Sequence, residues 1–161
     1  MFNRFVQFGS VGATYDSSLD DNIPGKPGDI LELQDAEGSR CWYVLGLNDT
    51  GAPLPAYQAV QYDGTDLVNV EAASASCHVS RMHSIPQLAV PDGHYFYGLR
   101  KGKGLGKSNA AITAKALVGT LGAAGKIDDD GALANSLLWG QALEAATGAN
   151  EDIAIRLDLP I

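Results

Sequence analysis

The stretch from Ile85 to Ser108 restricts the fold more than any other part of the chain. It begins with the apolar run Ile85-Pro86-Gln87-Leu88-Ala89-Val90 and breaks at Pro91-Asp92-Gly93. Three consecutive aromatics follow, Tyr95-Phe96-Tyr97, and then the basic, glycine-rich segment Gly98 to Lys107. Proline fixes φ and glycine supplies conformations closed to other residues, so Pro-Asp-Gly between two apolar runs marks a tight turn. Consecutive aromatics favour a pleated strand over a helix. The pattern predicts a hairpin whose second strand carries a large aromatic surface and closes on a basic turn at 100–108.

The rest of the chain reads the same way. Asp29–Gln34 and Trp42–Leu47 are strand-like, and turns are expected at Asp35-Ala36-Glu37-Gly38 and Asn48-Asp49-Thr50-Gly51. Residues 56–63 alternate, Asp63-Gly64-Thr65-Asp66 turns the chain, and 67–70 continues as strand. In Ile153-Ala154-Ile155-Arg156-Leu157-Asp158-Leu159 the apolar residues fall on every second position, the signature of a half-buried strand with one wet face. Residues 109–125 and 136–147 are ambiguous, because alanine favours helix while Gly119, Gly122, Gly125 and Gly140 oppose it. Residues 111–118 read better as strand. The expected fold class is mainly β, an antiparallel β-sandwich or barrel with one short helix at most. Residues 1–28, rich in Gly, Ser, Asp and Pro from position 9, read as an extended N-terminal arm or loop, and 29–161 as one β-rich domain.

Charge narrows the function. Eleven Lys and Arg against nineteen Asp and Glu give a net charge of −8. An acidic chain repels nucleic acid, so no direct nucleic-acid partner is expected. No apolar run is long enough for a membrane helix and none opens the chain as a secretory signal, so no membrane partner is expected either. Cys41 and Cys77 sit in strand-like segments and read as free buried thiols.

Four chemical readings compete with a structural one. Gly102-Lys103-Gly104-Leu105-Gly106-Lys107-Ser108 looks like a phosphate-binding loop, but counting back from Gly106 puts Lys101 where that loop needs its first glycine. Cys77, His78 and His83 lack a second ligand pair at a metal-binding interval, and the histidines read as satisfied or exposed. Asp128-Asp129-Asp130-Gly131 lacks the alternating ligands of a calcium loop and reads as a solvated turn. Trp42 and Tyr95–Tyr97 could stack a sugar, but such residues more often fill a core or an interface. No catalytic residue and no cofactor is expected. A small nucleotide-binding enzyme using Gly102–Ser108, or a carbohydrate-binding surface module, stands as the alternative.

A family resemblance runs through residues 55–161. Tyr57-Gln58-Ala59-Val60-Gln61-Tyr62-Asp63 is similar to a strand of small tailed-phage head proteins. It is followed by the step His83-Ser84-Ile85-Pro86, the turn Val90-Pro91-Asp92-Gly93-His94-Tyr95 and the segment Gly98–Gly102. The closing unit Leu138-Trp139-Gly140-Gln141-Ala142-Leu143 with strand 153–159 resembles theirs as well. The order of these motifs resembles capsid decoration, or cement, proteins. That resemblance implies a mainly β, non-enzymatic virion protein, made in the host cytoplasm and placed on the outer capsid surface. Its partners would be the major capsid protein and copies of itself, in trimers rather than dimers. The residues expected at those interfaces are Phe2, Arg4, Phe5, Pro24 and Pro27 of the arm, and Arg100, Lys101, Lys103 and Lys107 of the basic segment.

Overall fold

The computed structural model describes residues 13–19, 25–62, 69–74, 77–78, 80–120, 123–129 and 138–159. Phe2, Arg4, Phe5 and Pro24 lie outside the described residues. Eleven strands join one mixed sheet, and no helix occurs among the described residues. The mainly β expectation holds. Among the described residues all strand pairs are antiparallel but one, β3 with β5, which is parallel.

The sheet is organised around two long strands, β3 (Arg40–Asn48) and β7 (His94–Lys107). β7 is where the structure departs most from the sequence reading. No turn interrupts 100–108, and the strand runs on through Gly98, Gly102, Gly104 and Gly106. Along one edge β7 pairs with β3 from His94 to Lys101. Along the other it meets three partners in succession. These are β1 (Thr14–Asp16) at 94–96, β6 (Met82–Pro86) at 98–99, and β11 (Asp152–Asp158) at 101–107. The hairpin expected from Pro-Asp-Gly is present, with Gly93 at φ 70°.

β2 (Ile30–Gln34) pairs with β3, and β4 (Val60–Tyr62) pairs with β5 (Asn69–Ala72) and β6. The pairings β3–β5, β5–β4, β4–β6, β6–β7 and β7–β3 therefore close a cycle of five strands. One core cluster holds Leu54, Val60, Val70, Val90 and Phe96. The larger cluster packs Ile85 and Leu99 against the C-terminal strands β8 (Leu117–Thr120), β9 (Ile127–Asp128), β10 (Leu138–Ala142) and β11. In β11 the period-two reading is exact to the residue: Ile153, Ile155, Leu157 and Leu159 are buried, Arg156 and Asp158 exposed.

Part of the segment read as an arm belongs to the body of the sheet. Thr14–Asp16 is strand β1, and the Gly28 N–H donates to the Leu45 carbonyl at 2.8 Å. The ambiguous regions hold short strands and no helix among the described residues: of 111–118 only Leu117 and Val118 are strand, at the start of β8, with 113–116 a turn region, and β10 takes 138–142 of 136–147.

Asn48, fully buried, ties two turns together. Its Nδ2 donates to the carbonyls of Ala52, Val90 and Pro91 at 2.9, 3.1 and 3.0 Å, and its Oδ1 accepts from Thr50 Oγ1. Replacing it with alanine removes all of these side-chain hydrogen bonds at once, each worth about 0.5–1.5 kcal/mol, and leaves a gap in the buried space its amide fills. Asn48→Ala is expected to lower unfolding free energy by roughly 2–4 kcal/mol, read from urea melts. A loss below roughly 0.5 kcal/mol, the range of an ordinary surface substitution, would contradict this role.

Candidate functional site

The basic residues of β7 are held by partners within the chain. Lys101 pairs with Asp158 at 2.9 Å, Lys103 with Glu37, and Lys107 with Asp152. Lys107 Nζ also lies 5.9 Å from the centre of the Tyr57 ring. Arg100 turns inward, and its Nη1 donates to the carbonyls of Met82 and His83 at 3.1 and 2.6 Å. The four therefore do not present themselves as one loop: Arg100 anchors β6 to β7, and the lysines link β7 to its neighbours. Pro27 sits half-buried in the 26–29 turn, where Asp29 Oδ2 accepts from the Lys26 N–H at 2.8 Å.

The geometry of a phosphate loop is absent from Gly102–Ser108. Residues 102–107 are strand paired with β11, so their N–H groups do not converge on a ligand. Ser108 is buried, donating from Oγ to the Gly148 carbonyl at 2.7 Å and accepting from the Glu151 N–H at 2.9 Å. Nor do Tyr95–Tyr97 form a stacking platform with Trp42, since Phe96 and Tyr97 are buried whereas Trp42 lines an open groove.

The other candidates have local roles. Asp128 is buried and accepts from Asn109 Nδ2 at 3.0 Å, and Asp129 accepts from the Thr113 N–H at 2.6 Å; both carboxylates brace loops. His78 and His94 contact Ser80 and Thr14. His83 departs from the satisfied-or-exposed expectation. It is buried, its Nδ1 meets Ser84 Oγ at 2.7 Å, and its Nε2 has no hydrogen-bond partner. Burial, reinforced by the nearby Arg100 charge, pushes its pKa down to about 3. Cys41 and Cys77 are free and buried, and burial raises the Cys77 thiol pKa.

The surface that gathers chemistry lies elsewhere, on the outer face of β3, β7 and β11. An open groove of about 380 Å³ is lined by Ser39, Arg40, Trp42, Lys101, Lys103, Arg156 and Asp158. Strand register explains the grouping. Trp42, Lys101 and Asp158 are direct cross-strand partners, as are Lys103 and Arg156. Lys101 Nζ lies 5.7 Å from the Trp42 ring centre, and Arg40 reaches Glu32 at 3.2 Å. The hydrogen bond to Glu37 raises the Lys103 pKa and keeps that ammonium charged. A second groove, of about 510 Å³, shares Arg156 and Asp158 and continues over Leu117, Leu138, Trp139, Gly140 and Gln141. Sequence reading named Lys101, Lys103 and Trp42 but not Arg40 or Arg156. The wet face of β11 was the available signal for Arg156.

Fold and surface together define an all-β protein with open, mixed-charge grooves on a broad sheet face. Comparison with protein-family models, curated proteins and solved structures finds no match to this chain.

Proposed function

We propose that the chain is a non-enzymatic structural protein of a tailed-phage particle, bound to the outer capsid surface and cementing neighbouring capsomers. Its partners in this reading are the major capsid protein and further copies of itself, in trimers rather than dimers. The observation that carries the proposal is the kind of surface on offer. Both grooves are open, and they run across several strands of one sheet face. Strand β2 ends the strand order, pairs only with β3 among the described residues, and exposes Ile30. Leu117, at the lip of the larger groove, is 59% exposed. An unfilled strand edge and exposed apolar residues beside charged ones suit extended contact with another polypeptide. The resemblance over residues 55–161 points the same way, and binding only to the assembled shell would stabilise that shell by mass action.

The test is to purify particles of the phage that encodes the chain, count copies per particle by quantitative mass spectrometry, and measure the free protein's mass by light scattering. Hundreds of copies and a trimeric mass are expected. Absence from particles would end the proposal, and about a dozen copies would move the protein to a neck or tail.

A further inference from the structure

We infer that the groove over β3, β7 and β11 is a binding site for carboxylate side chains of an acidic polypeptide segment. The inference concerns the groove itself and holds whichever assembly the chain joins. Its first basis is the number of cations gathered in one place, three of them paired with carboxylates and one, Arg156, outside those pairs. In a chain of net charge −8, four of the eleven Lys and Arg residues, Arg40, Lys101, Lys103 and Arg156, line this one groove. Its second basis is a cross-strand repulsion that the fold compensates on one side only. Lys103 and Arg156 are direct cross-strand partners, and like charges placed opposite one another destabilise a sheet. Lys103 is neutralised by Glu37, whereas Arg156 is exposed and forms no ion pair among the described residues. A planar guanidinium at the wall of an open groove is suited to hold a carboxylate with two parallel hydrogen bonds.

The neighbouring acids decide between kinds of anion. Glu32, Glu37 and Asp158 already accept from Arg40, Lys103 and Lys101. A continuous polyanion, such as a nucleic acid or a sulfated glycan, would lay its charges against those three carboxylates. A peptide with separated carboxylates places one against Arg156 and keeps the rest of its backbone clear, and Trp42 adds an apolar floor for its carbon chain.

The test uses the full chain at low ionic strength, titrated with a glutamate-rich peptide and followed by amide NMR shifts and calorimetry. Saturable shifts are expected at 40–42, 101–103 and 156–158, with affinity falling as salt is added. Arg156→Gln is expected to weaken binding about tenfold or more, since a charge-assisted bidentate contact is lost. The variant should keep its melting temperature, because Arg156 is exposed. Lys26→Gln, a cation outside the groove, should leave binding unchanged. Absence of saturable shifts, or equal affinities for Arg156→Gln and Lys26→Gln, would overturn the inference. Tighter binding of a sulfated oligosaccharide or an oligonucleotide would overturn the assigned ligand class.

Discussion

Gly98→Ala is expected to destabilise the fold by about 3–5 kcal/mol, the combined effect of overpacking a buried strand and displacing a buried hydrogen bond. Gly98 sits where β7 crosses β6, paired with Pro86 on one side and Val44 on the other. A Cβ built at this position would stand 2.6 Å from Ser84 Cβ, closer still to Ser84 Oγ, and 3.1 Å from Phe96 Cε2. Ser84 Cβ is attached directly to the β6 backbone, so no rotamer change relieves the clash. The strand itself must shift, and it belongs to the closed five-strand cycle. Moving Ser84 also disturbs its 2.7 Å contact with His83 Nδ1. Denaturant melts of Gly98→Ala, Ser84→Gly and the double variant test the mechanism. Ser84→Gly removes both atoms that clash, so the double variant should be more stable than the sum of the single effects requires. Strict additivity would mean the clash is relieved somewhere other than at Ser84.

The same strand shows what could and could not be read in the sequence. Glycine as punctuation makes 100–108 a turn. In Lys101-Gly102-Lys103-Gly104-Leu105-Gly106-Lys107, however, small and long residues alternate at period two, as in a strand. Glycine within a strand marks a place where something else comes close. Here a Cβ at Gly106 would stand 2.9 Å from both Ile127 Cδ1 and Ile155 Cδ1. Gly102, at φ 111°, brings β7 against Cys41 beside the register shift between Trp42 and Tyr43. Strand β11 was legible residue by residue because its two faces meet different media. The parallel β3–β5 pair and the closure of the five-strand cycle depend on contacts between distant segments, which leave no local period. Arg40 and Arg156 belong to different strands, and only the register of β7 between them makes one groove. The charge of Lys103 is plain in the sequence, but its pairing with Glu37 and its place in that groove are not.

Acidification is expected to weaken the fold through His83. Its pKa falls to about 3 in the folded protein, while an unfolded histidine titrates near 6.5. Between those values the unfolded chain holds a proton that the folded chain excludes, so stability rises with pH across that window and is lost as pH falls through it. Relative to pH 7.5, His83 alone should remove about 3 kcal/mol at pH 4.5, with a larger loss at lower pH. The cause is geometric. The ring is buried between Tyr62, 4.9 Å away edge-on, and Phe96, 6.2 Å away. A Cβ on Gly46 would come within 2.8 Å of the imidazole. Arg100 places a cation on the His83 carbonyl, so a second positive charge there meets repulsion instead of a counter-ion. Urea melts of the wild type and His83→Gln at pH 7.5 and 4.5 separate this effect from that of the carboxylates, which both proteins share. The wild type should lose about 3 kcal/mol more than the variant on acidification. Parallel losses would refute the assignment. Direct NMR titration of the His83 ring in the wild-type protein supplies a second readout: the imidazole should remain neutral at pH 4.5, and a midpoint near 6.5 would show that burial does not govern its protonation.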